Sequence, residues 1–75
     1  MKELIKSFLV TKDKTEMSLL AEQIKESYQK LRPNDFDMLQ NICETLDMYI
    51  KEYDNELMRK SNISTVIQLS QLADL

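Results

Sequence analysis

The chain has 75 residues and a net charge of -3, with one cysteine, no histidine and no glycine. That length bounds it to a single domain, residues 1–75. The lone thiol cannot close an internal disulfide, the missing histidine removes zinc sites of the usual kind and the commonest general base, and the missing glycine removes phosphate-cradling loops.

The first predicted helix runs from about Lys2 to Val10, where Leu4, Ile5, Phe8 and Leu9 share one face. Glu3 and Lys6 interrupt this stretch as a secretory core, and no run approaches the roughly 20 apolar residues of a membrane span. With a thiol that has no pairing partner, this reads as a cytoplasmic protein.

Asp13 followed by Glu16 has the outline of a capping box and starts the second helix. Met17, Leu20, Ala21, Ile24, Tyr28 and Leu31 then form one apolar stripe, and Pro33 ends the helix near Leu31 or Arg32 by disfavouring helical geometry before it. Leu19 lies opposite the stripe, as a surface residue or a contact for a partner.

Asn34 or Asp35 is placed to cap the third helix, whose stripe is Phe36, Leu39, Ile42, Cys43, Leu46, Tyr49, Ile50, Tyr53 and Leu57. Arg59 and Lys60 would close it against the negative helix end, making it the longest element. Ser61 or Asn62 would then cap a fourth helix, about Ile63 to Leu75. From Ser61 to Ala73 there is no charged residue, and a helix this uncharged is expected to be largely covered.

Short connections between four amphipathic segments predict an all-α fold, a compact bundle of three to four short antiparallel helices. A long helical pair completed by dimerisation is the alternative, because the second and third stripes are near heptad spacing. A core of this size rarely supplies more than about 3–5 kcal/mol without a disulfide, a metal or a partner. With the first two excluded, a protein partner or a homo-oligomer remains.

No catalytic, cofactor-binding or metal-ligating set is present. Cys43 falls on an apolar stripe and reads as a buried structural thiol. Tyr28, Tyr49 and Tyr53 read as core or core-edge residues rather than base-stacking platforms. Glu44 and Asp47, three residues apart, read as part of a solvated acidic face, and Asp35 and Asp37 as helix-start acids. Charge is uneven: residues 1–32 carry seven basic groups against five acids, residues 33–56 one basic group against seven acids. On the third helix Asp37, Glu44, Asp47 and Asp54 project from one side, and Met48 and Met58 fall among them. Methionine on a polar face suits adaptable protein contacts.

The function expected is therefore a small non-enzymatic protein-binding module, an inhibitor, adaptor or regulator, presenting Asp37, Glu44, Asp47, Met48, Asp54 and Met58 to a protein partner. A self-associating structural protein is the alternative. Nucleic acid is disfavoured: Ser64, Thr65, Gln68 and Gln71 can read base edges, but their helix has no Lys or Arg to hold a phosphate. Scarce Gly, Ala, Arg and Pro beside abundant Lys, Ile, Asn, Asp and Glu point to an AT-rich coding genome, as in low-GC bacteria and their phages or plasmids. In outline, a short helical bundle with a Leu- and Tyr-containing third helix is similar to bacteriocin immunity proteins and to small phage-encoded inhibitors of host proteins. That likeness is one of fold; it implies protein binding without catalysis and transfers no residue roles.

Overall fold

A computed structural model of the chain describes residues 2–73. They form four helices, α1 (Lys2–Val10), α2 (Lys14–Leu31), α3 (Phe36–Lys51) and α4 (Glu56–Ala73), and no strand occurs among the described residues. The expected extension of the last helix to Leu75 lies outside them.

The starts of α2 and α3 have local causes. The Asp13 carboxylate accepts from the Thr15 amide at 2.9 Å and caps α2. The capping box is only half built, because the Asp13 amide donates to the Thr11 hydroxyl at 3.4 Å rather than to Glu16. Arg32, before the proline, leaves the helical backbone region and ends α2, as the ring of Pro33 favours. Asp35 caps α3 by accepting from the Met38 amide at 3.1 Å.

The expected long third helix is two elements. α3 ends at Lys51, residues 52–55 form a turn, and α4 begins at Glu56. The helix breaks without glycine or proline because the turn has bonds of its own. Asn55 Oδ1 accepts from the Met58 amide at 3.2 Å. The Arg59 guanidinium lies 5.1 Å from the Tyr53 ring centroid and donates to the Tyr53 carbonyl at 3.2 Å. Leu57, Met58, Arg59 and Lys60 thus belong to the first turns of α4, and the cap is Asn55, not Ser61 or Asn62.

α2 and α4 each pack on α1 and on α3, closing a four-membered ring rather than a long pair. Lys14 meets Asp54 and Lys25 meets Asp47, so α2 and α3 run antiparallel. Across the ring, Phe8 of α1 packs on Tyr49 of α3 with centroids 4.9 Å apart, and the Tyr28 hydroxyl of α2 donates to the Leu69 carbonyl of α4. The bundle measures 34 × 19 × 18 Å.

The core is Ile5 and Phe8 from α1, Met17, Ala21, Ile24 and Tyr28 from α2, Ile42, Leu46 and Tyr49 from α3, and Val66 and Leu69 from α4. Burying a side chain of this size is worth about 1.5–3 kcal/mol each. Leu31 and Phe36, expected on the stripes, instead flank the exposed α2–α3 turn, and Phe36 is 74% exposed. Cys43 is half-buried at the stripe's edge rather than sealed in the core.

Candidate functional site

The six acids and methionines expected on one side of one helix separate in the structure. Asp37, Glu44, Asp47 and Met48 are on α3, Asp54 is in the turn after it, and Met58 is in the first turn of α4. The cause is the break at residues 52–55, which ends the helical periodicity that aligned them.

Two of the carboxylates are ion-paired to α2. Asp47 Oδ1 lies 3.1 Å from Lys25 Nζ, which also stands 3.7 Å from Glu22, and Asp54 Oδ2 lies 2.8 Å from Lys14 Nζ. Burial by itself would lower the Lys25 pKa. The hydrogen bond and charge of Asp47, joined by the nearby Cys43 and Glu22, outweigh it and hold the ammonium above its ordinary 10.5.

Glu44 and Met48 turn the other way, toward α4. With Asn41, Thr45, Asn62 and Thr65 they line a shallow α3–α4 groove of about 210 Å³. Glu44 accepts from the Gln40 amide at 3.2 Å. Asn62 Nδ2 is buried in the groove wall without an acceptor. Met58 stands one turn before Asn62 on α4. The pair Glu44 and Asp47 therefore faces two different seams and does not converge on a cation. Among the described residues no group of three or more Cys, Asp or Glu is placed to hold a metal ion.

Sequence reasoning expected α4 to be largely covered, and within this chain it is not. From Glu56 to Gln71, the part of α4 whose side chains are described, Val66 and Leu69 are buried, while Ser61, Ser64, Thr65, Ile67, Gln68 and Gln71 are exposed and Leu57 is 80% exposed. Apolar residues recur on more than one side of this helix, so one neighbouring layer cannot bury them all. The outward surface from Ser61 to Gln71 carries no charge, whereas α1, α2 and α3 expose Lys, Glu or Asp along their lengths. The signal for this face was in the sequence, as the uncharged stretch; the chain's own helices cover only part of it.

The other candidates resolve simply. Tyr28 and Tyr49 are core residues, and burial beside Tyr53 pushes the Tyr49 phenol above its ordinary 10.0, against a smaller opposing pull from Arg59. Leu19 is exposed on α2. Compared with known proteins, this chain matches no family model, no curated protein and no solved structure. The fold defines the class alone: a small all-α protein, a four-helix bundle in which no described helix is long and apolar enough to cross a membrane.

Proposed function

We propose that this chain is a non-enzymatic protein-binding module, an inhibitor, adaptor or regulator of a protein partner in a reducing, cytoplasmic setting. Its binding side is the outward face of α4 together with the α3–α4 groove. The observation that carries this reading is the exposed, charge-free stretch of α4 from Ser61 to Gln71, in a chain whose other helices are charged along their solvent faces. Depletion of charge at the centre with polar groups at the rim marks protein interfaces.

The groove supplies the rest of such a surface. Met48 and Met58 are exposed, deformable apolar contacts, and Glu44 gives the groove an acidic edge. Asp37, exposed in the first turn of α3, adds to that charge. Acids at a rim act mainly on the rate and specificity of encounter, which suits a partner with a basic surface. Asp47 and Asp54 contribute to the field but are held by Lys25 and Lys14, so Glu44 and Asp37 are the acids placed to steer a partner.

The test is affinity capture from the native host with the unaltered chain and with the double variant Ser64→Glu, Gln68→Glu. Both positions are exposed, so the fold is expected to survive. A protein retained by the first and lost by the second supports the reading. Equal capture by both removes α4 from it.

A further inference from the structure

We infer that the α3–α4 groove seats an arginine side chain of the protein partner, its guanidinium held between Glu44 of α3 and Thr65 of α4. This rests on the reading of that side as a binding surface, and it names the chemical group the surface takes.

Hydrogen bonding comes first. Thr45 donates its hydroxyl hydrogen to the Asn41 carbonyl at 2.8 Å, and Thr65 donates to the Ser61 carbonyl at 3.4 Å. Both bonds run back to the preceding helical turn, so each hydroxyl oxygen has lone pairs to offer the groove and no hydrogen. The Glu44 carboxylate accepts from Gln40 at 3.2 Å and has room for further donors. The Asn62 Nδ2 donor is buried in the wall and is not presented. Of the described side chains that line the groove, Asn41 alone presents a donor. A group that matches this surface donates several hydrogen bonds and accepts none.

Charge makes that group a cation, and the chain does not supply one. Toward α2, Asp47 and Asp54 meet Lys25 and Lys14. Toward α4, Glu44 meets no cation among the described residues, and α4 carries no basic residue from Ser61 to Gln71. Arg59 and Lys60, at the start of α4, are engaged with Tyr53 and Glu56.

Size and hydration select arginine. The groove's 210 Å³ falls below the roughly 300–1,000 Å³ of pockets that enclose small molecules, so it suits one side chain of a partner rather than a cofactor. Water satisfies the carboxylate and the hydroxyls in the free chain. It does not satisfy the Met48 side chain, which lines the same groove one turn from Glu44 and is 46% exposed. A lysine ammonium is compact and strongly hydrated, and would keep its water over methionine. A guanidinium is planar and more weakly hydrated, so one face can cover Met48 while its edge donates to acceptors on both helices.

Titration of the isotope-labelled full chain with N-acetyl-arginine methylamide up to about 20 mM, read by amide NMR shifts, tests it at the millimolar strength of a single side chain. The expected result is a saturable shift centred on residues 41–48 and 62–65, weakened about fivefold by Glu44→Gln and further by adding Thr45→Val. The same spectra report that each variant is folded. The neutral isostere N-acetyl-citrulline methylamide and the lysine counterpart should shift these amides several-fold less. No saturable shift in the groove, an equal response to citrulline or lysine, or binding indifferent to Glu44→Gln overturns the inference. If the arginine probe fails while the unaltered chain captures a host protein that the Ser64→Glu, Gln68→Glu variant releases, the arginine seat falls and the binding surface stands. If the probe fails and capture is the same with both chains, the reading beneath it falls as well.

Discussion

Lys25 of α2 and Asp47 of α3 approach to 3.1 Å at the edge of the core, so the carboxylate at the middle of the acidic strip faces inward to a neighbouring helix. The pair acts on the packing of α2 against α3 rather than on an outside partner. Asp47 is 67% exposed, which limits its worth through solvent screening.

Asp47→Ala should accordingly cost about 0.5 kcal/mol and Asp47→Lys about 1 kcal/mol, the reversal adding repulsion from Lys25. Urea unfolding at low salt and in high salt checks this. The two deficits should shrink together as salt rises. A loss above about 2 kcal/mol for Asp47→Ala would mean that Lys25 is left as an effectively buried, uncompensated charge.

The α3–α4 break makes a sharper prediction, because two possible caps give opposite outcomes. Asn55 Oδ1 holds the Met58 amide, so Asn55→Ala should destabilise by about 1 kcal/mol. Ser61 is exposed in the interior of α4, so Ser61→Ala should be neutral or stabilise by about 0.5 kcal/mol through helix propensity. Thermal unfolding of both variants decides it. The reverse ranking would restore a helix start at Ser61.

That break is where sequence reasoning failed, and the reason is physical. The ends of α1 and α2, the cap at Asp35 and nearly all the core follow from capping chemistry and apolar period, signals that act within one turn of the chain. Between Tyr49 and Leu57 the apolar period continues unbroken, so periodicity alone reads one helix. The turn that interrupts it depends on Arg59 reaching back to Tyr53, a contact that exists only once the chain has reversed. Asn55 ahead of Glu56 was the available cue, an amide cap before a first-turn acid. The acidic strip was drawn on the longer helix and separated with it. The uncharged face of α4 survived because it is a matter of composition, which a shifted boundary does not alter.

Asn62 offers a test that links stability to binding. Its buried Nδ2 has no acceptor, and an unmet donor of this kind costs about 1–3 kcal/mol. Asn62→Leu removes the donor and improves helix propensity, so it should stabilise the isolated chain by about 1 kcal/mol. The same change makes the wall between Glu44 and Thr65 apolar and should weaken capture of a partner that docks in this groove. Chemical denaturation and capture measured on the one variant separate the two effects. A destabilised variant would show that the amide is satisfied by water.

Alkaline pH should unfold this protein earlier than its ordinary side chains would suggest, and the sign follows from two shifts in the same direction. Lys25 is held above its ordinary 10.5, so the stability it contributes is complete below that value and is lost as pH rises through the higher folded value. Tyr49 is an acid raised above its ordinary 10.0 by burial. In the unfolded chain its phenol ionises near the ordinary value, while the folded chain retains the proton. The unfolded state therefore gains on the folded one as pH climbs past that point. In both cases the folded chain binds the proton more tightly, and stability falls with pH across the gap between unfolded and folded values. Urea midpoints measured from about pH 8 to about pH 11 should stay level with respect to these two groups until about pH 9.5 and then decline. Tyr49→Phe should flatten the early part of the decline. Its absorbance titration should also lose a phenol that ionises above the ordinary tyrosine range. If the decline is the same with phenylalanine at position 49, the tyrosine is not its source, and Lys25→Met then tests the ammonium in the same way.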